Sequence, residues 1–144
     1  MLCGALALWL GGLTFYALVV IPIGTARLGS LEQGFITRDV TVRLNYIATG
    51  VLTALLIDVV HARNWRLYVL WNILLLCQIG LFLIHHWLRS LINTEDRLVT
   101  DEAFFYHLHR VYLLVTAVQW LFGWVYYSIL VARVPNKANN IHVR

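Results

Sequence analysis

Charge is what this sequence lacks. Asp, Glu, Lys and Arg make up 12% of its 144 residues, about half the share of a soluble domain. Hydrophobic residues make up 60%, and mean hydropathy is +0.73. So few polar side chains cannot cover a water-facing surface, which excludes an ordinary soluble domain and places the chain in lipid. Cysteine is scarce too. Cys3 and Cys77 both fall inside apolar runs, which leaves a disulfide framework and a zinc motif without support. Cys3 comes too early to follow a cleaved signal, so no lipoprotein anchor is expected, and the first apolar run lacks a basic leader and is longer than a signal core. It is expected to be a retained membrane helix. The motifs H-E-x-x-H, Walker A, G-x-S-x-G and G-x-G-x-x-G are missing, so catalysis by this chain alone is not expected. The net charge of +4, from 11 Lys and Arg against 7 Asp and Glu, is too small and dispersed for nucleic acid and fits a basic patch at a membrane surface.

Long apolar runs are what the sequence does contain. A helix needs roughly 20 apolar residues to cross the hydrocarbon of a bilayer. Spans are expected at about 2–22, 44–60, 67–88 and 107–132, in one domain covering 1–144. The fold class is therefore all-α: an integral membrane bundle of four transmembrane helices. Residues 24–43 are too charged to cross lipid. Leu28, Leu31 and Phe35 would share one face of a short interfacial helix between the first and second spans.

Gly4, Ala7, Gly11 and Thr14 recur at helical spacing in the first span, which Pro22 and Gly24 are expected to end. Gly50 and Ala54 repeat the pattern in the second. Small residues let another helix approach closely, and dispersion then replaces the hydrophobic drive that lipid does not supply. Asp58 is expected at an interface, paired with a nearby base, with His61 and Arg63 close in sequence. Asn72 and Gln78 should face the bundle interior, because an unpaired amide is costly in lipid. The last helix is expected over about 101–133, capped by Thr100 and ended by Arg133, Pro135 and Lys137, with a tail ordered only by a partner.

Four spans put both termini on one membrane side. That side carries the short basic turn HARNWR and is read as cytoplasmic, in the inner (cell) membrane of a bacterium.

The candidate site is a histidine cluster at the opposite side. Four of the six histidines, His85, His86, His107 and His109, flank an acidic loop and lie at the facing ends of the third and fourth spans. Three readings apply. Imidazole is the commonest axial ligand of b-type haem, and bundle cores hold such groups between facing helices. One histidine from each pair would then flank a haem b, or a single one would hold a chlorophyll, walled by Trp87, Phe104, Phe105 and Tyr106. The H-x-H of His107 and His109 would suit copper or zinc. On a helix, however, those two point about 200° apart, and His85 and His86 about 100° apart. A metal would need one ligand from each helix and a third from elsewhere. In the blander reading the histidines are interfacial and bond to headgroups, loop carbonyls or Asp96 and Asp101.

Two stretches resemble known families. LWLGGLTFYALVVIP at 8–22, with Gly11, Gly12, Phe15 and Pro22, is similar to the first helix of a four-span group that includes bacterial proteins and transmembrane protein 205. Phe105, Leu108 and His109 match the F…LH opening of that group's last helix. The resemblance implies four helices and little activity. More distantly, Trp9, Gly11 and Gly12 resemble the W-x-G-G of the copper resistance protein D membrane domain, which places histidine or methionine ligands on its helices.

The function expected from these features is a non-catalytic subunit packed against other membrane-protein subunits in a larger complex, with energy-transducing assemblies in view. The alternative is a haem- or chlorophyll-binding redox or pigment subunit. A small permease or metal transporter comes third, since Asn45, Thr49, Asn72, Gln78 and Gln119 supply polarity without a deep charge.

Overall fold

The computed structural model of the protein describes residues 2–93, 98–99 and 102–139. Helix α1 (Leu2–Phe15) passes through a π-helical turn, Tyr16–Val20, into α2 (Ile21–Leu28). Then follow α3 (Ser30–Ala62), α4 (Trp65–Ser90), the two-residue strands β1 (Ile92–Asn93) and β2 (Leu98–Val99), and α5 (Glu102–Asn139). Four stretches are long and apolar enough to cross a membrane: Leu2–Leu28, Glu32–Ala62, Trp65–Ser90 and Ala103–Arg133. The protein is a multi-pass, all-α membrane bundle. The helix order around it is α1, α3, α4, α5, with α5 packing back on α1.

The first span runs past Pro22 and Gly24, which do not end it. Proline has no N–H to give, and its ring crowds the carbonyl four residues back. Here the helix widens just before Pro22: the Ile21 N–H reaches back to the Tyr16 carbonyl, the five-residue spacing of a π turn. Gly24 serves packing instead, since a Cβ there would collide with the side chain of buried Gln33 on α3. The real break is Gly29, at φ +84°, where a left-handed backbone suits glycine.

The expected separate interfacial helix is absent. Residues 30–43 are the opening turns of α3, which continues unbroken for 33 residues, about 50 Å at 1.5 Å per residue. No proline interrupts the segment, and once a helix is nucleated each added residue gains a backbone bond. Tyr16 ties this extension to the first span by donating to Thr37 Oγ1 at 3.2 Å.

The α3–α4 turn is tight. Arg63 takes a left-handed conformation, and the Asn64 side chain caps α4 by accepting from the Arg66 N–H at 3.0 Å. Beyond α4, β1 pairs with β2 antiparallel, Ile92 opposite Val99 and Asn93 opposite Leu98. Helix α5 continues through Pro135 to Asn139 rather than stopping near Arg133. Thr100 and the 140–144 tail lie outside the described residues.

Heptad-like spacing builds the core. Leu67, Leu74, Leu81 and Leu88 line the inner stripe of α4, and Tyr112, Gln119 and Tyr126 that of α5. Such spacing keeps one seam facing its neighbours along the whole helix. One apolar layer joins Leu6, Trp9 and Leu10 of α1 to Leu52, Leu55, Leu74, Tyr126 and Leu130. A second joins Leu81 and Leu88 to Tyr112, with Ile84, Phe105, Leu108 and Val115 against them.

Candidate functional site: a buried amide network beneath split histidine pairs

Between the two apolar layers lies a polar one. Gln78 stands midway along α4, and Gln119 midway along the membrane stretch of α5. Gln119 Nε2 donates to Gln78 Oε1 at 2.8 Å, and Gln78 Nε2 donates to the Asn45 carbonyl at 3.2 Å. Asn45 Nδ2 donates to the Tyr112 hydroxyl at 3.0 Å. All four side chains are buried. An amide without a partner in hydrocarbon costs several kcal/mol, so each helix can carry its amide only if the others face it. The network thereby fixes the rotation of α3, α4 and α5 about their axes. The helical stripe alone predicts the inward face of Gln78. The pairing across helices, and the part of Gln119 in it, is not legible in one chain's pattern. Asn72 does not join: it is partly exposed and bonds its own helix at the Tyr68 carbonyl, 2.8 Å away.

Two turns toward the β1–β2 end, the histidine pairs split. His85 is half-buried, and its Nε2 is enclosed without a hydrogen-bond partner among the described residues. His109 is half-buried too and stacks on Phe105, with centroids 6.2 Å apart and planes 5° apart. His86 and His107 are exposed. The 100° and 200° offsets of the helix therefore send one member of each pair in and the other out. Among the described residues no three His, Cys, Asp or Glu side chains group as a metal site would require. The apolar side chains of Leu81, Ile84, Leu88, Phe105, Leu108 and Val115 fill the α4–α5 seam between the pairs. A planar macrocycle held from both helices would have to displace that layer. Of the proposed walls, Trp87, Phe104 and Tyr106 are exposed and Phe105 packs into the seam. Asp96 and Asp101, the expected hydrogen-bond partners, lie outside the described residues.

At the opposite end Asp58 finds its partners on α5, not in its own turn. Tyr126 donates its hydroxyl to Asp58 Oδ2 at 3.3 Å, and Arg133 Nη1 lies 3.6 Å from the same oxygen. His61 bonds the Ile57 carbonyl instead. The expected pairing of this acid is therefore present, with a base from the last helix. The Trp71 indole donates to the Leu52 carbonyl and that of Trp120 to Thr14 Oγ1, so these half-buried donors are also satisfied inside the bundle.

The chain matches no protein-family model, no curated protein and no solved structure.

Proposed function

We propose that the protein is a non-catalytic subunit that packs against other subunits of a larger membrane complex, energy-transducing assemblies being the first class to test. One observation carries this reading. Four glycines of α1 and α3 turn outward: Gly4, Gly11, Gly12 and Gly50 are exposed, and nothing lies within 4 Å of where a Cβ would stand. The bundle's own close approaches use other glycines, Gly24 against Gln33 and Gly123 against Leu10. The outward set is thus not spent on internal packing and offers a smooth surface to a foreign helix. The mid-bundle amides support the same reading, because they are buried and bond to one another. The short basic turn with Arg63 and Arg66 supports a cytoplasmic placement of the face read as carrying both termini.

The test is size analysis of native membranes extracted in mild detergent. The protein should migrate well above its own 16.6 kDa plus detergent. Gly11→Leu or Gly12→Leu should return it to the size of the free chain with helicity unchanged, since both positions open onto empty space. A wild-type protein that is already a monodisperse monomer in the mildest extract overturns the proposal.

A further inference from the structure

The outer face of α3 carries a charge at a depth where lipid offers it no partner. Gln78 stands midway along α4, and its Nε2 bonds the Asn45 carbonyl at 3.2 Å, so the backbone of α3 at Asn45 is level with the middle of α4. Arg43 is two residues away, about 3 Å along the axis. The hydrocarbon core is about 30 Å thick, so each headgroup layer begins about 15 Å from its middle. That is farther than one arginine side chain spans, and a guanidinium at this level does not reach the headgroups by snorkelling. Yet Arg43 is exposed, on the outside of the bundle. Among the described residues it makes no hydrogen bond or ion pair. Asp39, one turn away, is held by Arg38 at 3.2 Å. The acidic connection to α5 leaves α4 after Ser90, which lies about 18 Å along the axis from Gln78. Arg43 also stands in line with Ile36, Gly50 and Ile57, seven residues apart and all exposed, a single stripe down α3.

We propose, on the basis of the subunit reading, that the partner docks a transmembrane helix along this stripe and presents an Asp or Glu to Arg43. A cation within hydrocarbon is costly unless an opposite charge or water meets it. Lipid tails supply neither, and a carboxylate on a facing helix supplies the charge through two parallel bonds to the guanidinium fork. Gly50, two turns further along, has nothing within 4 Å of where a Cβ would stand, so the partner's backbone can come close there. The stripe is continuous with the outward glycines of α1, since α1 packs beside α3. Ile36 and Ile57 give the contact apolar ends, and Arg43 is the one charge among the four stripe residues.

A photoreactive residue at Ile47, exposed one turn from Arg43, reads this contact in intact membranes. It should cross-link to another chain, within an apolar stretch of about 20 residues that holds an Asp or Glu. Arg43→Gln should lower the cross-linked yield about tenfold or more, because breaking a charge pair on one side strands the other charge. Arg43→Lys should keep most of the yield. The same probe at Leu121, exposed on α5 across the bundle from α3, should not capture that chain. Changing the partner's acid to its amide should match the loss in Arg43→Gln, and it carries the test if that variant does not fold. Cross-linking to lipid alone or to a second copy of this chain, a captured segment without an acid, or an unchanged yield in Arg43→Gln overturns the proposal. If the wild type still migrates as a large particle in mild detergent, those results leave the subunit reading standing and remove only the acid-bearing helix at α3; a monomeric wild type removes both.

Discussion

The energetic weight of this protein at the residue scale sits in its buried amides. Side-chain hydrogen bonds between membrane helices contribute about 0.6 kcal/mol on average and up to about 1.7 kcal/mol, because the unfolded chain in lipid also finds partners. The bond from Gln119 to Gln78 links two fully enclosed side chains and belongs near the upper end of that range. A double-mutant cycle with Gln78→Leu and Gln119→Leu, read by thermal melting in detergent, should give a coupling of about 1 kcal/mol. Additive losses would mean that the pair does not hold the helices together. Asp58 is a softer case. Its ion pair with Arg133 is 3.6 Å long, and both side chains keep some exposure. Asp58→Asn preserves an acceptor for the Tyr126 hydroxyl and should cost less than about 1 kcal/mol. Asp58→Leu strands that hydroxyl beside a base and should cost more. Equal losses would place the stabilisation in the charge.

The decisive features at the scale of the helices are places where backbone departs from the regular α form. Arg63 occupies the left-handed region at φ 46°, which costs a non-glycine residue about 1–2 kcal/mol. Arg63→Gly should therefore raise the melting temperature, while Asn64→Ala, which removes the cap of α4, should lower stability by about 1 kcal/mol. The glycines divide by what surrounds them. Gly24→Ala drives a methyl group into Gln33, and Gly123→Ala drives one to within 2.7 Å of Leu10 Cδ2; each should cost about 1–3 kcal/mol by overpacking. Gly4→Ala meets nothing and should stabilise α1 slightly, since alanine is the better helix former. A uniform response across the three glycines would contradict the packing described. The helical stripe of small residues in α1 is readable in the sequence; which neighbour it faces is not.

For the whole molecule, the four-helix bundle buries only 22% to 28% of the residues in each span's most apolar window, so most of its surface meets lipid or another protein. The subunit reading rests on that surface. The histidine question is also testable at this scale. A visible spectrum of the purified protein, oxidised and then reduced, should show protein absorbance only, because the α4–α5 seam is filled by apolar side chains. A Soret band lost in His85→Ala would restore the haem reading and require the two helices to part.

The sequence by itself determined the class, the number of spans and their approximate centres. Lipid offers no partner to a bare peptide group, so long apolar runs have only the helix open to them. It also determined that neighbouring histidines diverge, since the helical period fixes the angle between residues on one helix. Only the tertiary structure decided which histidine of each pair turns inward, that Asp58 pairs with Arg133, and that Gln78 meets Gln119. Those outcomes depend on the rotation and depth of each helix relative to the others. No period within a single helix encodes that. It is set where amides from α3, α4 and α5 must meet to satisfy one another.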